Sequence, residues 1–250
     1  IKNVSRVFAA NGKRTVLILN IGGTIELTEV KDAPDAILLA WQPGLEAGNA
    51  IADILSGKVN PSGKLATTFL AGIKDASGKS FPGLPIDKPT EITYDEGIYV
   101  GYRYYDSFGI KPLYEFGYGL SYTTFEFSGL DVKREGDVLK VSVTVKNTGA
   151  RDGKEVAQVY IAAPKGKLDK PIQELRAFAK TKLLKPNESQ TLSFELKDKD
   201  ISSFSESQSA WILEPGKYEV RVGASSRNIK AKGVFDIPAE IVVSKVSNSL

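Results

Sequence analysis

The sequence contains no cysteine, no histidine and no methionine. Without cysteine there is no disulfide, and no redox compartment follows from the composition. Without histidine, Ser-His-Asp and Cys-His catalysis are excluded within these residues, and the usual transition-metal ligands are gone. Acid–base chemistry would fall to carboxylates, lysine or tyrosine. An excess of charge is also lacking. The 33 basic and 30 acidic residues leave a net charge of +3, with lysines scattered among acids, so no nucleic-acid partner is expected. Long apolar runs are absent too: the stretch 36–41 is far too short to cross a bilayer, so no membrane partner is expected. No stretch joins a basic start to an apolar centre as a signal segment does. The missing methionine has its own consequence. Ile1, Val4, Val7 and Phe8 repeat at helical spacing with no capping residue ahead of them. The expectation is a C-terminal piece of a longer protein.

What is present divides into two grammars. Residues 1–11 have the pattern of an amphipathic helix that Asn11-Gly12 would close. Two apolar runs, 15–21 (TVLILNI) and 35–41 (DAILLAW), predict strands buried on both faces. A short helix is expected near 25–30, and a second over 46–55 with Leu45, Ile51, Ile54 and Leu55 inward and Gly57 as its stop. A last short strand is expected over 64–69. This alternation is the pattern of a parallel sheet, with too few strands to stand alone. Residues 70–92 predict a long surface connection, followed by a tyrosine-rich segment.

From Tyr122 the period becomes two. Leu139, Val141, Val143 and Val145 alternate with Lys140, Ser142, Thr144 and Lys146, and Tyr218, Val220 and Val222 alternate with polar neighbours. Further strands fit 155–162, 174–183, 190–196, 210–213 and 229–237, separated by turns such as Asn147-Thr148-Gly149 and Glu214-Pro215-Gly216. About seven short strands predict an antiparallel sandwich of the fibronectin-III-like (immunoglobulin-like) kind. The fold class is therefore a partial α/β sandwich, a parallel-sheet remnant, followed by an all-β sandwich. The expected divisions are 1–70 for the end of the α/β domain, 71–121 for an aromatic interdomain linker, and 122–250 for the β-sandwich.

Four features invite a chemical role. Gly22-Gly23 follows a strand where a phosphate loop would sit, but the full G-x-G-x-x-G is absent, which favours a plain turn. Asp95-Glu96 are adjacent carboxylates, and adjacent side chains do not converge on one bond, so capping or bridging is favoured; Arg103 and Asp106, three apart, could pair on a helix face. Tyrosines 99, 102, 104, 105, 114, 118 and 122 could stack on sugars, but packing between domains is the preferred reading. Finally, the stretch 41–46 (WQPGLE) sits where ligands bind in open α/β sheets, beyond a strand's carboxyl end. Its Pro43-Gly44 is also ordinary turn chemistry, and Glu46 suits the start of a helix. On the residues alone, site and turn weigh equally.

Several motifs then occur in order: LLAWQPGLEAGNAIADILSGKVNPSGKLATTF, YDEGIYVGYRYYD and YEFGYGLSYTTFEFSGL, continued by NTGARDGKEVAQVYI, KPIQELRAFAKTKLLKPNES and PGKYEVRVGASSR. Together they closely resemble the C-terminal half of glycoside hydrolase family 3 β-glucosidases, over essentially the whole chain. The resemblance implies a retaining exo-glycosidase that acts on terminal β-D-glucosyl residues of small β-glucosides or oligosaccharides, with two carboxylates and no cofactor. It also implies that the nucleophilic Asp and the acid/base Glu lie upstream of Ile1, in a barrel and in an α/β loop. No catalytic residue carries over onto this chain, and this part alone is expected to be inactive. Its role would be to scaffold the missing N-terminal barrel and the rest of the α/β domain, with Trp41 and Glu46 as candidates standing behind the site. A non-catalytic carbohydrate-binding or structural module is the alternative. One departure is local: where many relatives place a small residue and Pro after Gly22, this chain has Gly23-Thr24 and loses a helix-starting proline.

Overall fold

Helix α1 (Lys2–Ala10), strand β1 (Val16–Leu19), strand β2 (Ala36–Leu39) and helix α2 (Ala47–Leu55) open the chain in a computed structural model that describes residues 1–78, 85 and 87–247. Gly12 closes α1 at φ +66°, the left-handed conformation a helix stop requires. Strands β1 and β2 pair in parallel, from Val16 opposite Ala36 to Leu19 opposite Leu39. Side chains alternate across this pair. Leu17, Leu19, Ile37 and Leu39 pack with Leu27, Leu65, Phe69 and Trp41 in a small cluster.

The other side of the layer corrects the expectation of strands buried on both faces. Val16 and Ile18 are exposed, as are Val4, Val7 and Phe8 of α1. Two strands and two short helices supply enough apolar surface to close one face only. Leu45 and Leu55 are likewise not inward but exposed, Leu45 because it lies on the turn before α2 and Leu55 because it is the last residue of α2. Near 25–30 there is one turn in place of a helix, with the N–H groups of Val30 and Lys31 both donating to the Leu27 carbonyl. Thr24, Ile25, Thr28 and Val30 are β-branched, and no proline starts a helix there. Residues 64–69 do not join the sheet. The Leu65 N–H donates to the Tyr118 carbonyl at 2.8 Å, and the Phe69 N–H to that of Tyr114 at 2.9 Å. The segment therefore pairs with the linker, where Pro112 and the bend at Gly117 (φ +82°) prevent a continuous ladder. Of the expected connection over 70–92, residues 79–84 and 86 lie outside the described residues.

Helix α3 (Tyr102–Ser107) leads into the second grammar. Strands β3 (Phe125–Glu135), β4 (Val138–Asn147), β5 (Val156–Ala162), β6 (Glu174–Lys180) and β7 (Ser189–Lys197) precede a short helix α4 (Asp198–Ile201). Strands β8 (Ser203–Ser205), β9 (Ala210–Leu213), β10 (Gly216–Gly223), β11 (Ile229–Ile237) and β12 (Ile241–Lys245) complete it. Three sheets result, with orders β11-β10-β5-β6, β3-β4-β7 and β12-β9-β8. Leu139, Val141, Val143 and Val145 lie beside Leu192 and Phe194 of the same sheet and pack with Val159, Val220 and Val222 of the four-stranded sheet in one core. Each such aliphatic side chain contributes about 1.5–3 kcal/mol by leaving water.

The expected seven strands are all present, and three more join them. In β3 the register shifts between Ser128 and Asp131 around Gly129, a bulge that breaks the period of two. Strands β8 and β12 are short. Strand β5 is buried along its whole length, although period-two strands usually keep one wet face. Ala157, Val159 and Ile161 belong to the sandwich core. Gln158 and Tyr160 point the other way, into the linker, and this is where the two halves of the chain meet.

Candidate functional site

The carboxyl ends of β1 and β2 lie side by side because the strands are parallel, and the turns beyond them form one edge. Trp41 takes φ +54°, a left-handed conformation that costs a bulky residue energy and asks for a reason. The turn at 41–44 turns the indole back under the sheet, where it packs on Phe69 with ring centroids 6.2 Å apart. The Gln42 amide covers the first turn, close enough that a Cβ on Gly22 would lie 3.1 Å from its Nε2. Gly22 is thus the contact surface for a neighbouring loop.

Glu46 begins α2 as its first flanking residue, with its carboxylate accepting from Asn49 Nδ2 at 2.6 Å. Its carbonyl accepts from the Ala50 N–H at 2.9 Å, but its carboxylate makes no hydrogen bond to the helix backbone, so the side chain's support of α2 is electrostatic and through Asn49. Trp41 and Glu46 therefore share an edge with different neighbours: the indole is in the small core and the carboxylate at the surface.

From Trp41 the rings continue. Phe69 meets Tyr114 at 6.3 Å, and Tyr114 stacks on Tyr118 at 5.4 Å. In the linker Tyr102 stacks on Phe116 at 4.7 Å and meets Tyr160 of β5 edge-on at 5.9 Å. Tyr99 and Tyr104 both pack on Phe108, and Tyr104 on Tyr105. The phenols find partners at the seam: Tyr99 donates to Asp169 at 2.5 Å, Tyr122 donates to the Ile54 carbonyl at 2.9 Å, and Tyr102 accepts from the Leu175 N–H at 2.7 Å. The hydrogen bond to Asp169, with some burial, raises the Tyr99 pKa to about 12. These contacts match the packing role expected of the tyrosines.

Polar contacts fasten the same seam. Gln158, nearly fully buried, donates to the carbonyls of Gly117 and Ala224 at 3.1 and 2.7 Å and accepts from the Tyr160 hydroxyl at 2.6 Å. Lys64 and Glu155 form a largely buried ion pair at 2.8 Å. Ser225 donates to Glu115 at 2.7 Å. Asn60 accepts from the Ser121 hydroxyl and the Tyr122 N–H while donating to the Asp152 carbonyl. The available signal was an Asn before Pro61, where the backbone is biased to extended conformations. Arg103 and Asp106 do not pair with each other. Arg103 reaches Glu174 at 3.2 Å and Asp106 reaches Arg227 at 2.7 Å, because α3 packs beside the sandwich, where β6 and the β10–β11 loop supply partners.

Two family descriptions match the chain: the glycosyl hydrolase family 3 C-terminal domain over residues 2–122, and a fibronectin type III-like domain over residues 155–226. The chain belongs to glycoside hydrolase family 3. This family 3 chain is 55% identical to a solved structure of β-glucosidase 3B from Thermotoga neapolitana in complex with α-D-glucose, at a TM-score of 0.93, covering 96% of this chain and 33% of that one. It is also similar to the family 3 β-glucosidase of Bifidobacterium adolescentis, at 37% identity and a TM-score of 0.87, over 94% and 34% of the two chains. Among curated proteins it is 39% identical to β-glucosidase A of Butyrivibrio fibrisolvens, covering all of this chain and 33% of that protein. The family 3 chain thus spans about a third of the length of such relatives.

Proposed function

We propose that this chain is the scaffolding part of a retaining, exo-acting β-glucosidase that removes terminal β-D-glucosyl residues from small glucosides or oligosaccharides. Its divisions are 1–70 for the end of the α/β domain, 71–121 for the linker and 122–250 for the sandwich. The nucleophilic and acid/base carboxylates belong to parts of the enzyme outside these residues, as does the barrel. The observation that carries this reading is the one-sided α/β layer. The face with Leu17, Leu19 and Trp41 is packed and tied to the sandwich by the ring-lined seam. The face with Val4, Val7, Phe8, Val16 and Ile18 is open. Apolar side chains left open on a helix and on the strand beside it suit burial against further layers of the same enzyme. Trp41 then packs behind the site and Glu46 starts α2. The similarity to β-glucosidases of about three times this length supports the same division of labour.

The retaining mechanism is tested in the full-length enzyme by proton NMR of the first-formed sugar. Retention releases the β anomer first; initial release of α-glucose would overturn it. One observation favours the carbohydrate-binding alternative: Phe204 and Trp211, with centroids 5.5 Å apart, are partly exposed on β8 and β9. Their planes are tilted by 58°, which is poorly suited to lying along flat sugar rings. Titration with a cello-oligosaccharide followed by tryptophan fluorescence decides it: the scaffold reading expects no change from Trp211.

A further inference from the structure

An open cleft of about 350 Å³ lies where α3 meets β10 and β11, lined by Asp106, Gln173, Arg221, Ser226, Arg227 and Lys232 among others. Its charges do not balance. Arg227 donates to Asp106 at 2.7 Å and to the carbonyls of Tyr105 and Ile110. Arg221 donates to Gln173 at 3.0 Å and pairs with Glu219, and Lys232 lies 3.4 Å from the same Glu219. Three cations thus face two carboxylates among the described residues. The second observation is independent. Ser226 is 3% exposed, yet its hydroxyl has no hydrogen-bond partner among the described residues. Its backbone is fully engaged, with its N–H donating to the Phe116 carbonyl at 2.9 Å and its own carbonyl accepting from Gln173 at 2.7 Å. A buried hydroxyl left unmatched is costly, and native structures rarely keep one without a use.

We propose that this cleft binds a phosphate group, either free phosphate or the head of a small phosphate monoester. Arg221 from β10, Lys232 from β11 and Ser226 from the intervening loop all line the cleft, so two cations and an unmatched hydroxyl border one space. Guanidinium and ammonium groups make charge-assisted hydrogen bonds to such oxygens. The cleft is larger than one phosphate needs, which leaves space for an attached group of about sugar size. Because α3 and the sandwich strands both contribute, an occupant would tie the linker to the sandwich and stabilise the folded state by mass action.

The test uses the intact polypeptide at constant ionic strength, with chloride balancing added phosphate. Calorimetric titrations with inorganic phosphate and with glucose 6-phosphate are compared. Saturable binding is expected, with a matching rise in Tm, and Lys232→Gln and Ser226→Ala should each weaken it about tenfold. Lys232 is largely exposed, so Lys232→Gln keeps the fold. Binding of both ligands supports a free-phosphate site; binding of the ester alone supports a monoester site. No saturable binding of either, or equal affinity in wild type and Lys232→Gln, overturns the proposal.

Discussion

Replacing Gly117 with alanine tests the seam at its tightest point. Gly117 sits at φ +82°, where a Cβ costs roughly 1–2 kcal/mol. The new methyl would also lie 2.1 Å from Gln158 Oε1 and 2.7 Å from Nε2, an overlap that only movement can relieve. Gln158 has no free space to enter, because it is nearly fully buried between Gly117, Ala224 and Tyr160. Displacing it leaves buried groups unmatched, at about 1–3 kcal/mol each. The expected loss for Gly117→Ala is therefore about 3–5 kcal/mol, read by equilibrium urea unfolding of the folded protein. A double-mutant cycle with Gln158→Ala sharpens the assay, since trimming Gln158 should recover part of the Gly117→Ala penalty. A Gly117→Ala variant within about 0.5 kcal/mol of wild type, the ordinary range for surface changes, would mean that Gln158 does not hold the seam.

Other outcomes follow from the same geometry. In the full-length enzyme Glu46→Gln should cost about 0.3–1 kcal/mol by weakening the start of α2 and leave turnover nearly unchanged; a fall of several orders of magnitude in kcat would make Glu46 catalytic. Asn60→Ala removes an acceptor for Ser121 and Tyr122 and a donor to Asp152, so it should cost about 1–3 kcal/mol and speed proteolysis near the linker; unchanged cleavage would contradict a fastening role. The Tyr99 pKa is raised to about 12, above its ordinary value of 10.0, so the neutral phenol is the form the folded state prefers. Its contribution is complete below pH 10 and lost as pH rises through 12. The stability difference between wild type and Tyr99→Phe should therefore shrink over that window, and a pH-independent difference would contradict it.

The sandwich was legible because its strands carry their environment in their spacing: Leu139 to Val145 alternate, and the core uses that alternation. The bulged β3 was not, since Gly129 shifts the register and scrambles the pattern within one strand. The α/β half was legible in order but not in burial. TVLILNI predicts two covered faces, whereas Val16 and Ile18 are exposed, because periodicity shows which residues share a face and not whether that face is covered. The segment 64–69 looked like a strand and pairs with residues some fifty positions away, a choice set by the linker and invisible to local periodicity. At the candidate edge, Trp41 and Glu46 were found by position beyond a strand end. The turning of the indole into the core depends on φ +54°, which no residue type announces. The tyrosines were read as packing groups; that Gln158 and Asn60 bind the seam needed the fold.

In the function proposed, these residues support catalysis and do not perform it. The most direct measurement is hydrolysis of an aryl β-glucoside by the 250-residue chain alone, with its folding verified by near-ultraviolet circular dichroism, beside the full-length enzyme at equal concentration. The full-length enzyme should turn over the glucoside, and the folded chain should show no hydrolysis above buffer. Hydrolysis by the chain at a rate comparable to the full-length enzyme would contradict it.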